Sequence, residues 1–319
     1  MSLLEVNDLT VRYRRMGRLR AAIRREPAEF DAVVGVSFSI EAGQTLGLVG
    51  ESGSGKSTIA RTLIGLKAAQ SGSIRFDGTE ISEAGAQDWA RIRREMSMMW
   101  QDPVGSLSPR LTVKSLVTEP LRIHGQRGGM DEAERLLGQV GLTPEFANSY
   151  PHQLSGGQAR RVGVARALAT DQKLLIADEP TAGLDMSVQG EVLNLLNEVQ
   201  ERTGVAILVI THNLNLVRHI TDSMAIMYLG RFVEQGPTEA VFDHPRHPYT
   251  EALLSANPEP DPDAREKRVK LRGEVPSPVN RPAGCDFHPR CPHARPDCAE
   301  IDPEWQKVDA RGFSCRYPL

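Results

Sequence analysis

No apolar run in this 319-residue chain approaches the ~20 residues that a helix needs to cross a bilayer, and no signal peptide opens it. A cytoplasmic protein is therefore expected, with any membrane association made through partners. An excess of one charge is also missing. The 38 basic and 41 acidic residues leave a net −3, which exerts no general pull on nucleic acid. There is no internal repeat, and cysteine is absent before position 285. What remains is an ordinary soluble composition, 40% hydrophobic and 25% charged, with room for one large α/β domain and a smaller appendage.

Chemistry is concentrated in a few short strings. Gly50-Glu51-Ser52-Gly53-Ser54-Gly55-Lys56-Ser57-Thr58 completes the G-x-x-x-x-G-K-[ST] pattern, after the strand-like Thr45–Val49 and ahead of the helix-like Lys56–Leu66. That setting suits phosphate, because a helix N-terminus presents backbone N–H groups and the glycines let the backbone close around a phosphate. Lys56 is expected on the β/γ-phosphates and the Ser57 hydroxyl on Mg²⁺. A chance glycine-rich turn is the plain alternative.

About 120 residues further on, Lys173-Leu174-Leu175-Ile176-Ala177-Asp178-Glu179-Pro180 reads as a buried parallel strand with two carboxylates at its C-terminal end. Asp178 suits the outer shell of Mg²⁺. Glu179 suits a group that orients or deprotonates an attacking water. An exposed acidic pair at a strand end is otherwise usually just solvated.

Residues 1–95 and 170–240 alternate strand and helix patterns, which predicts a mostly parallel sheet with helices on both faces. Leu4–Tyr13, Val205–Ile210 and Ser223–Tyr228 are among its strands. Residues 102–165 read as helical, including Val113–Ile123 and Asp131–Val140.

Between the two phosphate-type strings stands Leu154-Ser155-Gly156-Gly157-Gln158, running into a helix Ala159–Ala169. With it come Gln101 in Met99-Trp100-Gln101-Asp102-Pro103, Ala182-Gly183-Leu184-Asp185, and His212 in Ile210-Thr211-His212-Asn213. Gln101, His212 and the Ser-Gly-Gly string each have a bland reading alone: a turn residue, a helix-cap neighbour, a flexible Gly-Gly linker. In this order, over residues 1–240, they make the chain resemble the ABC-type ATPases.

The resemblance implies a RecA-like core with a helical subdomain at about 102–165, hinged at Gln101. Lys56, Gln101, Glu179 and His212 then belong to catalysis, and Ser57, Gln101 and Asp178 to Mg²⁺. Gly50, Ser52, Gly53, Ser54, Gly55 and Thr58 hold ATP. Such domains pair head to tail, so Ser155, Gly156, Gly157 and Gln158 would face the ATP of a second subunit, with Asp185 passing messages between sites. The family's usual Ser-Ala-Leu-Asp is here Ala-Gly-Leu-Asp, and the added glycine is expected to loosen that loop. Adenine is expected on Tyr13, with Phe30 as fallback, because residues 14–29 form an insertion. Its Arg14, Arg15, Arg18, Arg20, Arg24 and Arg25 suit a solvated arm better than a lipid-headgroup contact.

From 244 onward the texture changes to a proline-punctuated polar tail, setting domain limits at 1–243 and 244–319. His244-Pro245-Arg246-His247-Pro248-Tyr249-Thr250-Glu251-Ala252-Leu253-Leu254 resembles the C-terminal extension of oligopeptide and dipeptide importer ATPases. Physically, His247-Pro248-Tyr249 reads simply as a helix start.

Cys285, Cys291, Cys298 and Cys315 follow within the last 35 residues, spaced C-x₅-C-x₆-C-x₁₆-C. Such crowding predicts a set acting together. A reducing cytosol argues against disulfides, and zinc prefers C-x₂-C knuckles, which are absent. An iron–sulfur cluster, zinc or free thiols stay open on the residues alone. Resemblance to importer ATPases implies a [4Fe–4S] cluster, expected as a structural staple for a tail with too little core of its own.

The resemblance therefore implies an ATP-hydrolysing subunit of a peptide importer at the cytoplasmic face of the membrane. Its partners would be a second homologous ATPase, two transmembrane permease subunits and an extracytoplasmic peptide-binding protein, with no nucleic acid. Nickel chelates, glutathione or antimicrobial peptides are alternative cargoes. A soluble ABC ATPase acting on DNA or ribosomes fits less well, because tandem nucleotide domains and a long coiled-coil insertion are both missing.

Overall fold

The computed structural model describes residues 2–17, 27–99, 104–170, 172–256, 269–271 and 273–319. Gln101 and most arginines of the insertion (Arg18, Arg20, Arg24, Arg25) lie outside these. The strands are β1 (Ser2–Arg14), β2 (Glu29–Glu41), β3 (Thr45–Val49), β4 (Ser71–Phe76), β5 (Thr79–Glu80) and β6 (Met96–Met99). They continue with β7 (Leu174–Asp178), β8 (Ala206–Thr211), β9 (Ser223–Tyr228), β10 (Arg231–Pro237), β11 (Gln306–Val308) and β12 (Arg311–Phe313). The helices are α1 (Lys56–Leu63), α2 (Ala86–Glu95), α3 (Val113–Val117), α4 (Glu119–Ile123) and α5 (Met130–Gln139). After them come α6 (Gly156–Ala167), α7 (Met186–Thr203), α8 (Leu214–Ile220), α9 (Thr238–Asp243) and α10 (Pro248–Ser255).

The chain divides into two compact units, the first made of Met1–Leu4, Ile40–Thr45 and Arg75–Ile210. In it β6, β7 and β8 run parallel, with Met96 opposite Leu174 and Leu174 opposite Ala206. All five residues of β7 are buried, as its continuous apolar run requires of a strand covered on both faces. The helical segment of this unit buries Val113, Leu116, Leu136, Leu137, Val162 and Val164 in its own small core.

Several helix limits differ from the sequence expectation; α1, expected to run to Leu66, ends at Leu63. Val113–Ile123 is broken into α3 and α4, since Pro120 lacks the N–H that would continue the ladder. Helix α6 starts three residues early, at Gly156. The Ser155 hydroxyl accepts from the Gln158 N–H at 3.2 Å, and the Gln158 side chain accepts from the Ser155 N–H at 2.9 Å.

The second unit comprises Glu5–Ser39, Leu46–Ile74 and Thr211–Leu319. Here β3 is parallel to β9, with Leu46 opposite Ser223, and beyond β9 the sheet turns antiparallel through β10, β12 and β11. The last strands of the tail thus extend the sheet. Val49, Val217, Ile226, Tyr228 and Val241 form one core with Tyr249 and Phe287, and Cys285 and Cys291 pack against it. The tail therefore shares a core instead of relying on a staple alone. Burying an aromatic such as Phe287 stabilises by about 1.5–3 kcal/mol. Glu234 of β10, fully buried, fixes the chain entering α10. Its carboxylate accepts the Arg246 and His247 backbone N–H groups at 2.9 Å each and the Arg311 guanidinium.

Candidate nucleotide-binding site

The phosphate-type loop lies in the second unit, between β3 and α1. Two of its glycines are there for space. A Cβ at Gly55, whose φ is 110°, would stand 2.5 Å from the Ala32 carbonyl oxygen, and one at Gly50 would collide with the Met227 carbonyl oxygen. Only glycine lets the backbone pass so close to its neighbours. No side chain caps α1. Lys56 is 6% exposed, and its ammonium donates to the Gly50 oxygen at 2.7 Å, the Glu51 oxygen at 2.9 Å and Ser54 Oγ at 3.4 Å. The loop is fastened below by the Gly230 N–H, which donates to the Ser54 oxygen at 2.8 Å. Ser52 and Gly53 are exposed, while Ser57 and Thr58 of the first turn of α1 are half-buried.

In the same unit the two aromatic candidates for adenine meet each other. Tyr13 and Phe30 stack with centroids 6.0 Å apart and planes 21° off parallel, and the Lys67 ammonium lies 4.4 Å over the Tyr13 ring. His212 is exposed in the turn that follows β8, where the Asn213 N–H donates to Thr211 Oγ1 at 3.1 Å.

The first unit carries the carboxylates. Asp178 ends β7 at 8% exposure. Glu179 follows with φ of 51°, a left-handed conformation that an L-residue adopts at a cost of roughly 1 kcal/mol or more, held by its N–H donating to the Ile210 oxygen at 2.8 Å. Strain of this kind concentrates at working sites. The next loop explains its own departure from the family pattern. Gly183 has φ of 71°, so glycine there relieves strain in a turn closed by Ala182 and Leu184 N–H groups, which donate to the Glu179 and Thr181 oxygens. Asp185 is exposed at the head of α7 and makes no side-chain capping bond.

Ser155, Gly157 and Gln158 are accounted for locally only in part. Ser155 and Gln158 close the capping box of α6, but nothing lies within 4 Å of a Cβ placed on Gly156, and only the Glu191 carboxylate, at 3.8 Å, approaches one on Gly157. The chain itself gives no steric reason for two glycines there. Gln101 lies outside the described residues.

The four cysteines, all unpaired and half-buried, line one small cavity of about 20 Å³ together with His247, Phe287, His288 and Tyr317. Burial pushes the Cys285 and Cys291 thiols up to about 11, and burial also raises Cys315. The backbone N–H groups of Phe287, His293 and Tyr317 oppose this from the sulfurs of Cys285, Cys291 and Cys315. Neighbouring sulfurs raise each further. Such a set is costly as bare thiolates and suited to a cationic centre, with N–H donors already on the sulfurs. Among the described residues, no three His, Cys, Asp or Glu side chains gather as one metal ion would need. A four-iron cluster makes a different demand, since each thiolate takes its own iron around a larger body. The four thiols thus share one cavity without gathering as the ligands of one metal ion.

Sequence reasoning missed what the tail does beside the loop. His247 caps α10 as expected of a helix start, its Nδ1 accepting from the Tyr249 N–H at 3.0 Å, and burial holds its pKa down at about 3. Tyr249, however, is fully buried and its hydroxyl accepts from the Glu51 N–H at 3.1 Å. Arg290 grips the Glu51 carboxylate with both terminal nitrogens, at 2.8 and 3.0 Å. The His-Pro-Tyr string drew attention to Tyr249; Arg290 had no local signal.

A parallel α/β sheet, a lysine-bearing phosphate loop and a strand-end Asp–Glu pair define an ATP-binding cassette. The family model for "ABC transporter" matches residues 33–182, and that for "Oligopeptide/dipeptide transporter, C-terminal region" residues 233–298. The chain is 42% identical to the oligopeptide transport ATP-binding protein OppF of Salmonella typhimurium, over 98% of this chain and 95% of that one. It is 40% identical to the di/tripeptide transport ATP-binding protein DppF of Pseudomonas aeruginosa, over 99% and 98% respectively. Among solved structures, the dimeric bacterial ABC transporter cassette MJ0796 aligns with a TM-score of 0.62 at 28% identity, over 74% of this chain and 98% of that one. The chain belongs to the ATP-binding proteins of ABC-type oligopeptide and dipeptide transporters.

Proposed function

We infer that this chain is the subunit whose ATP hydrolysis drives peptide import, seated at the cytoplasmic face of the membrane on two permease subunits. A second homologous ATPase and an extracytoplasmic peptide-binding protein complete the assembly. The single observation that carries the reading is the loop Gly50–Thr58, with a nearly buried lysine at its heart, in a chain that spans nearly the whole length of peptide-transport relatives. No helix of the described residues is long and apolar enough to cross a membrane, so the membrane-spanning path is assigned to partners.

ATP is held by the loop's N–H groups, with its adenine on Tyr13, whose ring stacks on Phe30. Lys56 exchanges the carbonyls of Gly50 and Glu51 for β- and γ-phosphate oxygens, one set of charge-assisted bonds for another. Ser57, Asp178 and Gln101 would hold Mg²⁺, which supplies charge neutralisation at the phosphates. Glu179 orients and deprotonates water, and His212 contacts the γ-phosphate. The Ser155–Gln158 cap with its uncrowded glycines serves the ATP of the partner ATPase as a second anion site at a helix N-terminus. The domain limit at 243/244 marks where the transporter-type extension departs from the cassette. Its four cysteines hold a [4Fe–4S] cluster, supported by the shared cavity and by N–H donors on the sulfurs.

The test is Glu179→Gln in the assembled transporter. ATP is expected to bind as in the wild type, while turnover falls by roughly 100-fold or more, in the range typical of losing a positioned acid–base group. Normal turnover in that variant would remove Glu179 from its role and reopen the catalytic assignment.

A further inference from the structure

Glu51 is an awkward residue for a phosphate cradle. It follows Gly50 directly, its backbone oxygen already touches the Lys56 ammonium, and its carboxylate carries the same sign of charge as the triphosphate the loop receives. Left free, that carboxylate would compete for Lys56 and repel the ligand. It is not free. Arg290, from the C-terminal extension 239 residues away, holds both carboxylate oxygens in a two-pronged ion pair at 2.8 and 3.0 Å. The Arg290 side chain is 8% exposed and that of Glu51 26%, so the pair is largely shielded from solvent.

Three further contacts in the second unit make this a built support. The Tyr249 hydroxyl accepts from the Glu51 N–H, so both the backbone and the side chain of Glu51 are held by the extension. The Arg290 guanidinium lies 5.8 Å from the centre of the Tyr228 ring, which itself packs edge-on to Phe287 at 5.3 Å. Arg281, also from the extension, donates to the Asp31 oxygen at 2.9 Å, in the strand whose Ala32 oxygen crowds Gly55. Burial would lower Arg290, but its bonds to Glu51 and Tyr228 outweigh that and raise it.

We propose that Arg290 is a positioning residue for ATP. It neutralises Glu51 and draws its carboxylate off the phosphate cradle, so that the C-terminal extension sets the nucleotide affinity of the loop. This rests on the loop being the ATP site. In charge terms the loop is only cationic when the extension is docked, since Lys56 and Glu51 otherwise cancel. A merely structural ion pair predicts loss of stability on breaking it. The proposal predicts a loss of affinity that a second substitution repairs.

The experiment is direct titration of MgATP into the purified full-length chain by calorimetry, for wild type, Arg290→Gln, Arg290→Gln with Glu51→Gln, and Lys56→Ala as reference. Arg290→Gln is expected to weaken binding roughly five- to tenfold, the effect of one uncompensated like charge at the site. Adding Glu51→Gln is expected to restore affinity to within about twofold of wild type. Wild-type affinity in Arg290→Gln overturns the proposal. So does a double variant as weak as the single one, because Arg290 would then not act through Glu51. If Arg290→Gln does not fold, Arg290→Lys keeps the charge and loses the fork. It is to bind two- to threefold more weakly (roughly, by the loss of one charge-assisted bond), with faster amide exchange at residues 50–55. Wild-type values there overturn the proposal equally. Binding that survives Lys56→Ala would instead overturn the assignment of the loop, and the proposal with it.

Discussion

His247 illustrates how much one side chain can do without touching the chemistry. As a string, His-Pro-Tyr promised only a helix start, and that part is right: the ring caps α10 and Pro248 occupies its first turn. The ring is also fully buried, which holds its pKa down at about 3 against an ordinary 6.5. It must stay neutral, since its Nδ1 is an acceptor for the Tyr249 N–H. In the unfolded chain the same ring takes a proton near 6.5, which the folded protein refuses until about pH 3. Between those values the unfolded state binds more protons, so stability present above pH 6.5 is lost as pH falls toward 3. Over the whole window the loss amounts to a few kcal/mol on the order-of-magnitude scale of the shift. Asn can cap without titrating. The thermal midpoint of His247→Asn, followed by circular dichroism from pH 7 to pH 4, is therefore expected to fall less steeply than that of wild type. Parallel profiles would mean that the ring is solvated and its cap dispensable.

Elements were legible wherever a local pattern fixes them. β3 and β9 run over the residues that the apolar strings mark out, and α5 lies within one residue of its expected limits. The misses have local causes too: Pro120 splits a helix that periodicity alone joins, and Ser155 starts α6 by capping it. That cap separates two meanings of the signature segment. Gly156 occupies the first position of α6 with open space around it, so Gly156→Asp meets no clash. An acidic residue in a first helical turn also favours the helix dipole, by about 0.3–1 kcal/mol. The isolated chain is thus expected to be as stable as wild type or slightly more so. At a site meant for another subunit's γ-phosphate the same charge is repulsive. ATP-dependent pairing with the second ATPase, measured by sedimentation in a Glu179→Gln background, is expected to be lost. Pairing that persists would reduce the glycine pair to a flexible linker.

At the scale of the whole molecule, the sequence carries the cassette far better than it carries the tail's relation to it. The nucleotide motifs are contiguous strings whose chemistry is readable in place. The contacts from Tyr249 and Arg290 to Glu51 span 198 and 239 residues, and no periodicity or spacing encodes such pairs. Viewed as a string, the segment after 243 is a proline-rich tail needing a staple. In the fold, Phe287 and Tyr249 sit in the same core as Val49 and Ile226, and β12 pairs with β10. This alters what losing the cysteine centre should do. Cys291 follows Arg290 directly, and its N–H donates to the Phe287 oxygen at 3.1 Å, so the cavity wall and the Glu51 clamp share one short turn. Cys291→Ser is expected to abolish iron and visible absorbance, and to speed amide exchange through residues 285–315. Because the clamp lies on that turn, MgATP binding should weaken with it, in the direction set by Arg290→Gln, although no nucleotide-site residue has changed. The β10–β12 pairing and the shared core should keep the rest of the second unit folded, since one rests on backbone bonds and the other chiefly on aliphatic and aromatic side chains, with Cys291 only at its edge. Retained iron in Cys291→Ser would end the cluster assignment. Lost iron with unchanged exchange and affinity would leave the proposed cluster assignment standing but detach the centre from the loop.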